Sequence, residues 1–321
     1  MKLDEIGFYT MSDERAMNAS EKTRIKRMEI CLTDKCNFKC VYCRGVPELV
    51  KGNINFHDTL NLLELLKPDA VRFTGGEPTL YDNNALMMLV YACSSFANYI
   101  ALSTNGTAPL KFYKELISAG VNDFSISLDG ACCAVGDTMS GGVIGAWDTV
   151  VSNIKILSEL VYVSVGMVFT EQNVHQCKEA VLFADSLGVS DIRVIPASQY
   201  NKALIMLKDL PTNIRLSHNI LNYRINNLKN GIQMRGIDTS IEPEYKCPLV
   251  LDDVMIAGKY HFPCPIYFRE NGNPIGIISS ELRNDRLKWF KETNCSNDVI
   301  CRTNCLDVCH DYNKKWQEYH G

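Results

Sequence analysis

Between residues 27 and 196, short β-type runs alternate with helical periodicity, and this constrains the fold more than any other feature of the sequence. The runs fall at 27–32, 71–74, 99–103, 124–128, 162–169 and 192–195. Apolar positions at helical spacing lie between them, as at 84–97, 110–119, 143–159 and 175–187. Strands joined through helices of this length form parallel βαβ units, because a parallel crossover needs a helix-sized connection. Six units predict an α/β protein with an open, partial (β/α)6 barrel rather than a closed eightfold one. Periodicity alone leaves a doubly wound sheet as the alternative. One more helix is predicted over 212–230. From about residue 240 the rhythm gives way to short apolar pieces among Pro, Gly, Asn and Cys. The chain therefore divides into an N-terminal extension (1–26), the β/α section (27–235) and a small cysteine-rich C-terminal domain (236–321), with the last boundary near 232–242.

The 14 cysteines among 321 residues are the unusual count. A secreted disulfide scaffold is shorter and carries an export signal, whereas Met1-Lys2-Leu3-Asp4-Glu5 lacks an apolar signal core. The expected compartment is the cytoplasm, where a cysteine excess points to metal ligation or thiol chemistry. No apolar run is long enough to cross a membrane. A net charge of −4 argues against nucleic acid or anionic membrane as a partner. Cys31, Cys93, Cys132, Cys133 and Cys177 stand mostly in apolar surroundings and read as packing residues.

The first cysteine cluster follows the first strand directly and reads Cys36-Asn37-Phe38-Lys39-Cys40-Val41-Tyr42-Cys43. Three thiolates in one short loop suit three irons of a [4Fe–4S] cluster and leave the fourth iron open to a substrate atom. A zinc site would need a fourth nearby ligand, and the next cysteine, Cys93, falls in a predicted helix. Gly75-Gly76-Glu77-Pro78 closes the second strand, Ser103-Thr104-Asn105-Gly106 follows the third, and Ser127 and Asp129 close the fourth. Each falls at a strand carboxyl end, where parallel β/α folds bind ligands. Alone, Gly-Gly-Glu-Pro would be a tight turn.

With these motifs in this order, residues 27–200 resemble the radical S-adenosylmethionine (SAM) superfamily. Its cluster motif is C-x3-C-x-aromatic-C, with Tyr42 in the aromatic slot. The resemblance implies a radical SAM partial barrel, with Cys36, Cys40 and Cys43 as ligands of a [4Fe–4S] cluster that binds SAM. It implies that Gly75, Gly76, Glu77 and Pro78 meet the methionine amino group of SAM. It also implies that Tyr42, Ser103, Asn105, Ser127 and Asp129 belong to the cofactor site. The implied chemistry is reductive cleavage of SAM to methionine and a 5′-deoxyadenosyl radical, which abstracts a substrate hydrogen atom. A flavodoxin or ferredoxin is the implied electron donor.

The late cysteines resemble the auxiliary-cluster domains called SPASM and twitch. Cys247-x16-Cys264 and Cys295-x5-Cys301-x3-Cys305 match parts of that pattern, but its preceding cysteine position holds Glu292 here. One auxiliary [4Fe–4S] cluster is expected, on Cys247, Cys264, Cys301 and Cys305, with Cys309 as alternate. Four thiolates also suit a structural zinc ion. Tyr260, His261, Tyr267 and Arg269 flank Cys264 and read either as pocket lining or as an exposed hairpin, with the hairpin favoured. Asp252-Asp253 reads either as a contact to a cationic substrate or as a solvated turn, with the turn favoured.

The expected function is a radical SAM enzyme acting on a polar small molecule: a sugar, cyclitol, aminoglycoside or nucleotide, by epimerisation, dehydrogenation or cyclisation. Leu32-Thr33-Asp34-Lys35-Cys36-Asn37-Phe38 also looks like the molybdenum-cofactor cyclase family. The late cysteine spacing and the ending Glu318-Tyr319-His320-Gly321 depart from that family. The alternative is modification of a ribosomal peptide, disfavoured by the short segment before the first strand. A zinc-stapled binding module without enzymatic activity is the third class.

Overall fold

The computed structural model describes residues 13–197, 204–238 and 244–321. The start of the 1–26 extension and the end of the 232–242 boundary lie outside the described residues. In chain order the elements are α1 (Asp13–Asn18), β1 (Arg27–Cys31), α2 (Phe56–Leu66), β2 (Ala70–Thr74), α3 (Asn83–Cys93), β3 (Tyr99–Thr104), α4 (Leu110–Ala119), β4 (Asp123–Ser127), α5 (Cys133–Met139), α6 (Ala146–Ser158), β5 (Tyr162–Phe169), α7 (Cys177–Ser186) and β6 (Asp191–Pro196). They continue with α8 (Thr212–Ser217), α9 (Asn219–Lys229), β7 (Asp253–Ala257), β8 (Tyr260–Phe262), α10 (Pro265–Arg269), β9 (Gly276–Ile277), α11 (Leu282–Glu292), α12 (Val299–Asn304) and α13 (Asp307–His320). All six strands expected from the alternation are present, within two residues of their predicted ends. Helix α2 fills the crossover between β1 and β2 that the alternation requires, and α5 is an additional short helix.

The contacts divide the chain into two compact units that interleave along the sequence. One comprises the chain through Lys35, then Arg44–Ile100 and Arg235–Gly321; the other comprises Cys36–Cys43 and Ala101–Met234.

In the first unit β1 is flanked by β2 and β7, both parallel to it, with Ile30 opposite Phe73 and Ile256. Strands β8 and β9 extend the sheet antiparallel beyond β7. The tail thus supplies a strand to the sheet that β1 begins. Strand periodicity sends Met28 and Ile30 to one face and Arg27, Glu29 and Cys31 to the other. Burying charge on that second face costs free energy unless it is paired. Arg27 meets the Asp253 carboxylate at 2.6 Å and Glu29 at 2.8 Å. Asp252 is paired with Arg15 at 2.5 Å and accepts the Tyr312 hydroxyl at 3.1 Å. Asp252-Asp253 is therefore not a solvated turn: both side chains are buried and each has an arginine partner.

Another buried cation fixes the tail. Arg286 of α11 is fully buried, and its guanidinium donates to the carbonyls of Val250 and Phe262 (each 2.8 Å), Pro263 (3.0 Å) and Asp253. One side chain thereby ties α11 to both strands of the β7–β8 hairpin. Helix α13 packs on α1 through Ala16, Ala19, Leu249 and Tyr312, and Trp316 Nε1 donates to the Ala19 carbonyl at 2.7 Å.

In the second unit β3, β4, β5 and β6 are paired in parallel, with Thr104 opposite Ile126, Ile126 opposite Val165 and Val165 opposite Ile192. Phe124, Ile126, Val163, Val165, Met167 and Phe169 lie on one face of these strands and are fully buried. The helix predicted over 212–230 is broken at His218, which is extended (φ −125°, ψ 104°). His218 Nε2 is held by Asp185 at 2.9 Å. The next helix takes its N-terminal cap from a distant residue: Asp191 accepts the Ile220 N–H at 2.9 Å.

Candidate functional site

The loop after β1 carries Cys36, Cys40 and Cys43. Cys36 and Cys43 are exposed and Cys40 is half-buried. The Cys43 N–H donates to the Cys40 carbonyl at 2.9 Å, which folds the C-x2-C half into a turn. Burial pushes the Cys40 thiol up to about 12, and the charges of Asp129, Cys43 and Cys36 add to the effect. The positive charge of a bound iron cluster would offset that penalty and favour the thiolate.

The second unit holds this loop from three sides. Lys39 and Val41 N–H donate to the carbonyls of Ser140 (3.0 Å) and Met139 (3.1 Å). A Cβ on Gly141 would stand 2.5 Å from the Lys39 carbonyl oxygen, and its φ is +92°, so glycine is required there on both counts. Asn37, Asn105 and Thr107 form a closed ring: Asn105 Nδ2 donates to Asn37 Oδ1 (2.7 Å), Asn37 Nδ2 to Thr107 Oγ1 (2.9 Å), and Thr107 Oγ1 to Asn105 Oδ1 (2.7 Å). The Tyr42 hydroxyl donates to Asp129 Oδ2 at 2.7 Å.

Asp129 is itself built in. Its Oδ1 accepts the Val168 N–H at 2.7 Å, and its carbonyl accepts Asn173 Nδ2 at 2.8 Å. Burial raises its carboxyl to about 6, while the Val168 and Tyr42 donors hold it down. Asn173, fully buried, also donates to the Val168 carbonyl at 2.9 Å. It locks the end of β4 to β5, a role that no spacing in the sequence announces. Of the other residues expected here, Ser103 is half-buried and Ser127 is exposed at the end of β4.

In the first unit Gly75-Gly76-Glu77 is pressed onto the residues that lead into the cysteine loop. Gly76 N–H donates to the Thr33 carbonyl and Glu77 N–H to the Lys35 carbonyl, each at 2.7 Å. A Cβ on Gly75 would lie 2.7 Å from Thr33 O, and one on Gly76 would lie 2.4 Å from Lys35 O. Only glycine permits this backbone approach. Glu77 is buried, and its Oε1 accepts the Thr79 N–H (3.1 Å) and hydroxyl (2.7 Å), capping the turn Pro78–Leu80.

All six late cysteines interact in one neighbourhood of the first unit. Cys295 is buried, and Cys247, Cys301 and Cys305 pack against it. The proximity of the Cys247 and Cys295 sulfurs holds the Cys247 thiol below the usual cysteine range and raises that of Cys295. The neighbouring Cys309, with burial, raises the Cys305 thiol. Burial raises Cys264, as do the neighbouring charges of Cys309, Cys247 and Cys301. Cys295, absent from the expected ligand set, thus stands among the five that were chosen. Among the described residues no three His, Cys, Asp or Glu side chains converge on a single-ion position.

The flank of Cys264 is not the exposed hairpin that was favoured. His261 is fully buried, Tyr260 and Tyr267 are half-buried, and Arg269 alone is exposed. Tyr267 donates to Asp298 Oδ2 at 2.9 Å, and Asp298 caps α12. Cys31, Cys93 and Cys177 are buried packing residues as expected; Cys132 is half-buried and Cys133 exposed.

An α/β protein with a three-thiol loop and a glycine-only backbone approach at strand carboxyl ends has the make-up of an iron–sulfur protein that binds a ligand at its cluster. Residues 30–184 match the model of the Radical SAM superfamily, so the chain carries a radical SAM domain, which implies a [4Fe–4S] cluster and SAM. It is 36% identical over 114 residues to a GTP 3′,8-cyclase of Syntrophomonas wolfei, covering 33% of this chain and 34% of the relative. It is 33% identical over 147 residues to the GTP 3′,8-cyclase of Pelotomaculum thermopropionicum, covering 42% and 45%. The match thus spans less than half the length of these curated relatives. Among solved structures, Streptococcus suis SuiB bound to precursor peptide SuiA superposes with a TM-score of 0.58 at 17% identity, covering 86% of this chain and 66% of that one. Native anSMEcpe with bound AdoMet and Cp18Cys peptide gives 0.59 at 15% identity, covering 91% and 96%. The shared fold is the open parallel α/β arrangement of radical SAM proteins. Among the described residues no helix is long and apolar enough to cross a membrane.

Proposed function

We propose that the chain binds a [4Fe–4S] cluster through Cys36, Cys40 and Cys43, and SAM at the open iron, to abstract a hydrogen atom from a polar small molecule. When bound and reduced, the cluster supplies the electron that splits SAM into methionine and a 5′-deoxyadenosyl radical. One observation carries this reading. The three-thiol loop is held by Asn37 and Tyr42 to the residues that follow β3 and β4. Gly75 and Gly76 bring backbone close without side chains, and Glu77 and Pro78 shape that turn. Asn105, Asp129 and Tyr42 fix the loop, while Ser103 and Ser127 stand at the same strand ends. Residues 236–321 hold one auxiliary cluster on Cys247, Cys264, Cys301 and Cys305, with Cys309 and Cys295 beside them. A flavodoxin or ferredoxin supplies the electron. The likeness to nucleotide cyclases supports a sugar-bearing or nucleotide substrate.

The test is iron and sulfide content after anaerobic reconstitution, comparing wild type with a Cys36/Cys40/Cys43→Ala triple variant. About eight irons falling to about four supports both clusters. About four falling to none removes the auxiliary cluster, and no change refutes the first site. A second reading, modification of a ribosomal peptide, is favoured by the likeness to SuiB and anSMEcpe, both solved with peptides. Mass spectrometry of a candidate precursor peptide after turnover separates the two.

A further inference from the structure

Several arginines of the first unit are held by acceptors. Arg27 and Arg15 meet carboxylates, Arg286 meets four carbonyls, and Arg44 is paired with Glu270. Arg269, the last residue of α10, is exposed, and its Nη2 makes one long hydrogen bond, 3.3 Å, to the Thr74 hydroxyl. No carboxylate among the described residues forms an ion pair with it. The adjacent acid, Glu270, is engaged by Arg44, and Glu29, whose charge it feels, is bonded to Arg27 at 2.8 Å.

Its position is informative. Thr74 ends β2 and immediately precedes Gly75-Gly76-Glu77. Cys31, which also feels the Arg269 charge, ends β1 just before the cysteine loop. Arg269 lies five residues after Cys264 in sequence. A guanidinium offers five donors in a planar fork matched to carboxylate and phosphate oxygens. One neutral acceptor leaves most of that fork unused.

We propose that Arg269 is the anion-recognising residue of the substrate site, taking a phosphate or carboxylate group at the carboxyl ends of β1 and β2. The inference rests on the proposed function and narrows its substrate class. It favours phosphorylated or carboxylate-bearing small molecules over neutral cyclitols and cationic aminoglycosides.

The experiment is calorimetric titration of the reconstituted protein with inorganic pyrophosphate and with glutarate, for wild type, Arg269→Gln and Arg269→Lys. SAM affinity is measured on the same samples. Wild type is expected to bind at least one anion, Arg269→Gln to bind it tenfold or more weakly, and Arg269→Lys to fall between. SAM affinity should stay within twofold. Preference for pyrophosphate identifies a phosphate-bearing substrate, and preference for glutarate a carboxylate-bearing one. Equal anion binding by wild type and Arg269→Gln, or no binding by either, overturns the proposal. So does a tenfold loss of SAM affinity in Arg269→Gln, which would assign the residue to the carboxylate of SAM itself. Failure of the proposed function registers separately, as wild-type protein that takes up no iron.

Discussion

Tyr42 and Asp129 lie 87 residues apart in sequence, and the tyrosine hydroxyl donates to the aspartate at 2.7 Å. The aromatic residue inside the cysteine motif is therefore also a strut between the loop and the end of β4. Removing the hydroxyl leaves a buried carboxylate with one donor fewer, at a cost of about 1–3 kcal/mol. Tyr42→Phe should fold, melt at lower temperature, and release iron from the first site to a chelator faster than wild type. An unchanged release rate would reduce the bond to local packing.

Arg286 makes a similar argument for the tail. It is buried without a carboxylate partner and satisfies carbonyls on both sides of the β7–β8 hairpin. Arg286→Met keeps most of the volume but orphans those carbonyls, and a loss of about 3–5 kcal/mol is expected. Arg286→Lys should recover little, because an ammonium lacks the planar fork. Denaturant unfolding of all three proteins checks this. A lysine variant as stable as wild type would show that charge, and not fork geometry, holds the hairpin.

His261 supplies a pH dependence. Burial, reinforced by the Arg286 charge, pushes its imidazolium down to about 3. Asp285 Oδ2 is 3.5 Å away, but that carboxylate is 38% exposed and screened by water, so burial dominates. The folded value lies below the unfolded value of about 6.5. The unfolded chain therefore binds the proton more readily, and the stability contribution is full above about pH 6.5 and lost as pH falls toward 3. The loss amounts to roughly 3–5 kcal/mol. His261→Leu should flatten the stability curve across this window and leave the neutral side nearly unchanged. Parallel curves for variant and wild type would count against the assignment.

The legible parts of this protein were those written locally. Three cysteines within eight residues and two adjacent glycines each specify a loop without help from elsewhere, and the six parallel strands announce themselves by composition. The illegible parts depend on distant partners. Asp252-Asp253 reads as a solvated turn because charged residues are rarely buried, yet Asp253 is paired with Arg27, 226 residues away. Helix α9 lacks a local cap because Asp191, 29 residues earlier, provides one. Strand β7 was hidden because its partner is β1, at the opposite end of the sequence. Cys295 falls outside the expected ligands because the tail's spacing pattern breaks at Glu292, whereas the fold packs it against Cys247, Cys301 and Cys305.

The glycine approach beside the cysteine loop permits a sharp contrast. At Gly76 a methyl group would stand 2.4 Å from Lys35 O and 2.6 Å from Asp34 O, both backbone atoms that cannot move aside as a flexible side chain can. At Gly166, inside β5, the nearest atom to an added Cβ is 3.9 Å away, an ordinary contact. Gly166→Ala should therefore be neutral or stabilise by about 0.4–1 kcal/mol, since alanine loses less backbone entropy on folding. Gly76→Ala should destabilise by about 1–3 kcal/mol or force the chain at 33–35 outward. Either response displaces the residues entering Cys36, so reconstituted Gly76→Ala should lose most of the iron of the first site while keeping that of the tail. The variants are compared by thermal melting and by iron content. A Gly76→Ala protein with full iron and an unshifted melting temperature would mean that the backbone contact carries no structural weight.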